Sequence, residues 1–190
     1  SNSNFISGKD PGSIERKIAT KDQHIYNGEI YTTNPGVIMK FTPNLDLKSL
    51  LADTSQINFY TMLPLTGSVY VKGGANGVYI NNTPTQIKAK VSKVRKYNEH
   101  ILACTDEGLY IKRGEKYFLI NEKKGLPDNQ CIQIEYFGDQ YYKLLTKTGL
   151  AYIDKVDCKV AGSFNAQLLG SDIIIHYFDV ENDTIWLATN

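Results

Sequence analysis

Residues 125–154 read GLPDNQCIQIEYFGDQYYKLLTKTGLAYID, and the second half of that stretch, DQYYKLLTKTGLAYI around Gly149, has counterparts elsewhere in the chain. GEIYTTNPGVIMKF surrounds Gly36, GSVYVKGGANGVYI surrounds Gly77 and NEHILACTDEGLYI surrounds Gly108. Each copy is a β-hairpin: an apolar run precedes the turn, a Gly-(Val/Leu)-aromatic-Ile run follows it, and both alternate at period two. In all four the glycine is expected to supply the positive φ of a tight turn. A fifth copy, NDTIWLATN, begins at Asn182 and stops at Asn190.

The residue three before each turn glycine serves as a register mark. The marks are Thr33, Gly74, Thr105 and Thr146, with Thr189 in the same place in the fifth copy, so the successive spacings are 41, 31, 41 and 43 residues. Spacings near 40 with several short strands per repeat fit propeller blades, whereas helical repeats of that length would carry a 3.6-residue apolar period, which is absent. The chain is therefore read as all-β, a β-propeller fragment of about four to five four-stranded antiparallel blades within a larger propeller of about seven. Residues 1–190 are taken as one truncated domain with hairpins centred near 36, 77, 108 and 149 and an incomplete one at 182–190. The 31-residue interval between Gly74 and Thr105 predicts a degenerate blade with trimmed turns or a missing outer strand.

The block from Gly125 resembles the two-component regulator propeller repeat. Gly125, Leu126, Pro127, Asp128 and Asn129 match that repeat's opening, Thr146 its threonine, Gly149-Leu150 its second glycine pair and Ile153-Asp154 its end. Asp183, Ile185, Trp186, Leu187, Ala188 and Thr189 resemble its Asp-x-x-Gly-x-Leu-Trp-Ile-Gly-Thr segment, with Ala188 where the family has glycine, while Lys143 stands where Trp186 does. The resemblance implies the extracytoplasmic, periplasmic sensor region of a hybrid two-component system histidine kinase of Bacteroidetes, signalling in response to a glycan or its breakdown product. The kinase itself is not in this sequence: there is no apolar run long enough to span a bilayer and no nucleotide-binding glycine box. This segment is accordingly expected to be no enzyme and to insert in no membrane.

The last residue falls inside a hairpin, so the chain reads as a piece of a longer protein, and Ser1–Asn4 as the site of an expression scar. Open blade edges favour a homodimer or other self-association. Net charge is +1, from 21 basic and 20 acidic residues, which gives no field suited to nucleic acid. A local basic cluster comprises Lys88, Lys90, Lys93, Arg95 and Lys96, then Lys112, Arg113 and Lys116. Alternation places Lys88 and Lys90 on one strand face, and the cluster reads as solvated outer strands or, more sharply, as a contact for an anionic sugar.

The three cysteines, Cys104, Cys131 and Cys158, recur every 27 residues, out of step with the blades, and form neither a disulfide framework nor a zinc set. Cys104 and Cys131 are expected in the core, and Cys158 to be the exposed thiol. His24, His100 and His176 sit nine, five and thirteen residues before their marks, so repeat symmetry does not gather them into a catalytic or metal cluster. Asp106, Glu107, Asp128, Asp139, Asp179, Glu181 and Asp183 fall in or near turns, without the spacing of a calcium loop. No catalytic residue, cofactor or metal is assigned, and the ligand-binding residues are unknown at this stage.

Aromatic residues are abundant, with 13 tyrosines and one tryptophan. Tyr31, Tyr70, Tyr79, Tyr110 and Trp186 are expected to wedge between blades. Tyr60, Tyr97, Tyr136, Tyr141 and Tyr142 lie near strand ends, where a ring can stack on a sugar and its hydroxyl bind a sugar hydroxyl. The leading expectation is a ligand-sensing segment with an oligosaccharide ligand; the alternatives are a propeller glycan lyase or hydrolase, and a non-catalytic protein-interaction scaffold.

Overall fold

The computed structural model describes residues 4–8, 16–20, 22–34, 36–52, 59–66, 68–168, 170, 175–181 and 184–189. Two strands, β1 (Asn4–Gly8) and β2 (Arg16–Thr20), form an antiparallel hairpin. Four four-stranded antiparallel sheets follow, each made of strands consecutive in sequence. The first comprises β3 (Asp22–Tyr26), β4 (Glu29–Asn34), β5 (Val37–Phe41) and β6 (Leu47–Ala52). The second comprises β7 (Phe59–Pro64), β8 (Tyr70–Gly74), β9 (Gly77–Ile80) and β10 (Thr83–Pro84). The third comprises β11 (Val91–Tyr97), β12 (His100–Thr105), β13 (Gly108–Arg113) and β14 (Lys116–Ile120). The fourth comprises β15 (Cys131–Phe137), β16 (Tyr141–Thr146), β17 (Gly149–Asp154) and β18 (Lys159–Asn165). A last hairpin joins β19 (Ile175–Glu181) to β20 (Thr184–Thr189). The chain divides into two compact units, residues 1–94 and 95–190, with β11 running through the border.

The last hairpin repeats the first half of a blade. In β7 the register against β8 slips between Phe59 and Thr61, in β15 against β16 between Cys131 and Gln133, and in β19 against β20 between Ile175 and Tyr177. In each case the residue before the bulge pairs with the register mark: Phe59 with Gly74, Cys131 with Thr146, Ile175 with Thr189. A bulge bends a strand and raises its twist, so its recurrence at one place marks β19 as a first strand and β20 as a second. Asn182 and Asp183, which open the fifth copy in the sequence, and Asn190, which ends it, lie outside the described residues.

The glycines do different jobs. Gly77 and Gly108 have φ of 110° and 130°, as their turns require. Gly149 does not have a positive φ, contrary to expectation. A Cβ on Gly149 would lie 2.0 Å from the carbonyl oxygen of Phe164, and on Gly77 and Gly108 it would lie 2.0 Å from that of Ile87 and 2.2 Å from that of Ile120. Close passage of the outer segment is thus what the three positions share. Gly36 differs: it sits in the turn with open space around it and φ 76°, and Val37, paired with Asn34, occupies the position that Gly108 takes opposite Thr105. The register mark of the first blade is therefore Asn34 rather than Thr33.

The short second blade keeps four strands by shrinking the outer one to Thr83–Pro84. Beyond it, Val78 N–H donates to Ile87 C=O at 3.0 Å, so the segment returns to the position that β14 and β18 reach as full strands. Lys88 and Lys90 consequently lie in irregular backbone between Ile87 and β11, both exposed, rather than on one face of a strand.

The repeat threonine closes the hairpin. Thr105 and Thr146 donate their hydroxyls to the carbonyls of Gly108 and Gly149 at 2.7 and 2.9 Å, each buried. The 125–129 segment is clamped just as locally. Gly125, in the left-handed region at φ 97°, caps the 3₁₀ turn Glu122–Lys124. Glu122 N–H donates to Asn129 Oδ1 at 2.8 Å and Asn129 N–H donates back to Glu122 Oε1 at 3.1 Å. Thr148 then ties Pro127 C=O to the β16–β17 turn at 3.0 Å.

Inner strands are buried on both faces: Tyr142 to Thr146 in β16 and Leu102 to Thr105 in β12 form unbroken buried runs. Period-two alternation is lost there because a central blade strand is covered from both sides. In residues 95–190 the core is built around Leu102, Ile111, Ile134, Leu144 and Ile153; in residues 1–94 it gathers Tyr31, Ile38, Phe59 and Met62. All three cysteines are buried, Cys158 at 5% exposure included, so the expected exposed thiol is instead a core group in a tight turn. Trp186 is 61% exposed and wedges against nothing described.

Candidate functional site

Two clusters of polar and aromatic side chains stand apart from the apolar cores. The first lies within residues 1–94. Asp22, 2% exposed at the start of β3, accepts from Lys93 Nζ at 3.1 Å and lies 3.0 Å from His24 Nε2. The Thr61 hydroxyl also donates to Asp22 and accepts from Val94 N–H at 3.1 Å. His24 is thus mid-strand and tied to a buried carboxylate. The order of contacts is wrong for hydroxyl activation, because an acyl-transfer triad places the hydroxyl on the imidazole and the carboxylate behind it. Here both the hydroxyl and the imidazole contact the carboxylate, and Thr61 is fully buried. The cluster instead matches a buried anion with two basic partners.

The second cluster lies within residues 95–190, where the ends of β11, β12, β15, β16 and β17 meet. Tyr97, at the end of β11, stacks on Tyr142 with centroids 5.5 Å apart and 27° between planes, and meets Tyr136 at 5.4 Å. Lys155, in the turn after β17, holds its ammonium 3.3 Å from the Tyr136 centroid and 5.3 Å from that of Tyr142. It also donates to Gly138 C=O at 2.7 Å. His100 Nδ1 lies 2.7 Å from the Tyr142 hydroxyl. Arg113, at the end of β13, donates from Nη1 to Val156 C=O at 2.8 Å and stacks on Phe118 at 5.2 Å.

Burial sets the titration of this group. It pushes the phenol of Tyr142 up to about 12, with Cys158, Tyr136 and Tyr97 adding to the effect. Burial also raises Tyr97. His100 is held below its usual value, first by burial and then by the charges of Arg113 and, more weakly, Lys155, against an opposing pull from Glu99. Burial thus keeps the Tyr97 and Tyr142 phenols protonated and the His100 imidazole neutral, with Nδ1 beside the Tyr142 hydroxyl, so the cluster offers hydrogen-bonding groups next to the Arg113 and Lys155 side chains.

Exposure is uneven. Tyr142 is 2% exposed and Lys155 8%, whereas Tyr136 is 45% and Val156 74% exposed. Tyr97, Tyr136 and Tyr142 were each visible in the sequence as rings near strand ends; Arg113, Lys155 and His100 become part of the same site only through the pairing of β12 with β13 and β16 with β17. Tyr60 serves through its carbonyl as the acceptor of the Thr33 hydroxyl, and Tyr141 opens β16 one residue before Tyr142, paired with Phe137 and Asp154. The backbone of His176 belongs to β19, but its side chain and Ile174 lie outside the described residues. Among the described residues no group of histidine, cysteine and carboxylate side chains gathers around a common point to hold a metal ion.

Four consecutive four-stranded antiparallel sheets, each folded back on itself strand by strand, match the blades of larger solved chains. These are propeller blades. The extracellular domain of a putative one-component system from B. thetaiotaomicron aligns over 99% of this chain with a TM-score of 0.68 at 15% identity, the chain covering 27% of that domain. BamB from Moraxella catarrhalis aligns over 98% at 0.62 and 6% identity, with 62% of BamB covered. The Pan2 WD40 domain of Neurospora crassa aligns over 77% at 0.57 and 10% identity, and this chain spans 52% of its length. No protein-family model matches the chain, and no curated protein matches it. Likeness at these identities concerns the fold. No helix among the described residues is long and apolar enough to cross a membrane.

Proposed function

We propose that this chain is a ligand-sensing propeller segment from the extracytoplasmic part of a hybrid two-component histidine kinase, lying in the periplasm and responding to an oligosaccharide or its breakdown product. The observation that carries this reading is the alignment of 99% of the chain with the extracellular domain of a putative one-component system. The 125–129 motif adds to it, since the residues that resemble the two-component regulator repeat are the ones clamped around Glu122, Asn129 and Thr148. The segment works by binding rather than turnover: the tyrosine cluster supplies rings and donors, and the Asp22 cluster is ordered for ion pairing. A ligand signals only by favouring one arrangement of the receptor over another, so the effective site is one whose partners differ between states.

An interaction scaffold is the second reading, favoured by one feature: the outer strand β6 exposes Leu47, Leu50 and Leu51 at 53, 57 and 46%. A melting-temperature screen against neutral and acidic oligosaccharides, with each ligand recovered and assayed, separates the readings. A rise in melting temperature with ligand recovered intact supports sensing, because a ligand that binds only the folded state stabilises it by mass action. Cleavage of the ligand contradicts it, and silence across the panel favours the scaffold.

A further inference from the structure

We propose that the surface formed by Arg113, His100, Tyr136 and Lys155 binds an oxyanion, a carboxylate or sulfate, carried on a ring-shaped small molecule. This deepens the sensing proposal, and rests on it for the purpose of the site but not for its chemistry. The argument begins with charge. Lys40 and Lys93, both partly buried, face carboxylates: Lys40 meets Glu29 at 2.5 Å and Lys93 meets Asp22 at 3.1 Å. Arg113 and Lys155 instead meet the neutral carbonyls of Val156 and Gly138. Neither forms an ion pair among the described residues, although Lys155 is only 8% exposed. A buried charge without a counter-ion is costly, and tyrosine faces offset only part of that cost.

The acids of the same turn are engaged elsewhere. Asp154 Oδ1 accepts from the N–H groups of Val156 and Asp157, both at 2.8 Å, and Asp157 pairs with Lys159 at 3.3 Å. The positive field reaches His100, which burial first and then Arg113 and Lys155 hold below its usual value against the pull of Glu99. An anion docked here would neutralise that field.

Geometry suits an oxyanion. Arg113 is fixed by one Nη1 bond and by Phe118, and its other N–H groups have no partner among the described residues. A planar guanidinium held in this way presents parallel donors to a carboxylate or sulfate. Val156, whose carbonyl Arg113 holds, exposes its side chain, and the half-exposed ring of Tyr136 lies against Lys155, so apolar surface is at hand for the ring that carries the anion.

Titration of the whole chain with D-glucuronate, with sodium sulfate and with D-glucose, followed by amide NMR, tests the inference. Glucuronate and sulfate are expected to shift saturably the amides of Arg113, Phe137, Gly138, Lys155 and Val156, with glucuronate binding about tenfold more tightly because of the Tyr136 wall, and glucose leaving them unmoved. Tyr136→Ala removes the difference between the two anions. Arg113→Gln, a half-buried position whose loss spares the core, weakens both anions about tenfold while the melting temperature stays near that of the wild type. Absence of saturable shifts with either anion, or binding unchanged by Arg113→Gln, overturns the inference. That failure would leave sensing intact, since a neutral oligosaccharide would still satisfy it, whereas failure of sensing appears as an intact receptor deaf to every ligand.

Discussion

A side-chain carbon on Gly149 would stand 2.0 Å from the carbonyl oxygen of Phe164. The oxygen belongs to backbone in a paired strand, so it cannot swing away as a flexible side chain would. Gly149→Ala is therefore expected to lower unfolding free energy by about 1–3 kcal/mol through forced displacement of β18. Gly162→Ala provides the control, since its Cβ enters open space without a positive φ. That variant should stay within about 0.5 kcal/mol of wild type. Urea denaturation midpoints of the two variants check the pair.

The Thr146 hydroxyl donates to Gly149 C=O at 2.9 Å inside the core. Thr146→Val keeps the shape and removes the donor, leaving a buried carbonyl short of one partner. The expected loss is about 1–3 kcal/mol. Thr105→Val should behave alike, because Thr105 makes the same bond to Gly108 in its own turn. Two similar losses in chemical denaturation support a shared hairpin clamp; a neutral Thr146→Val rejects it.

Leu144 is fully buried in β16 among Leu102, Ile134 and Ile153. Leu144→Ala should cost about 2–5 kcal/mol, the usual range for a cavity that its surroundings refill only in part. A loss below 1 kcal/mol would mean that the face of β16 carrying Leu144 is not packed as described.

Glu29 is gripped by Lys40 at 2.5 Å and Lys48 at 2.8 Å, and these two bonds hold its carboxyl down at about 2, from an ordinary value of 4.5. A carboxyl depressed in the folded state binds protons less readily there than in the unfolded chain. Its stabilisation is complete above pH 4.5 and fades as pH falls toward 2. Solvent still reaches the side chains, Lys40 at 28% and Glu29 at 20% exposure, so salt should weaken the effect. An NMR titration of the Glu29 carboxyl checks the low midpoint, and Lys40→Met should move it upward.

Much of the blade pattern was legible because its signals are local. A glycine beside a turn, a threonine three residues before it and apolar runs on either side are all settled within about ten residues of Thr105 and Thr146. What escaped depends on which segment passes close in space. Gly149 looked like a turn residue but serves the close approach of Phe164, and Gly36 lies one place out of register because Val37 opens its strand. Cys158 followed turn residues and looked exposed, yet the turn after β17 folds its side chain inward, where burial raises the thiol.

The tyrosine site was legible only in its rings. Tyr136 and Lys155 are 19 residues apart and Arg113 and Val156 are 43 apart, so their meeting follows from hairpin register and from the packing of β12 against β15, not from any motif. Likewise nothing around Asp22 in the sequence announces Lys93, 71 residues on.

The central claim is that this segment binds a ligand at the tyrosine end of its blades without altering it. Calorimetric titration of the wild-type chain and of Tyr136→Ala with the best ligand of the melting screen, followed by chromatographic recovery of that ligand, tests this most directly. Saturable binding that weakens in Tyr136→Ala, with the ligand recovered unchanged, is the predicted result; conversion of the ligand, or affinity indifferent to Tyr136, would contradict it.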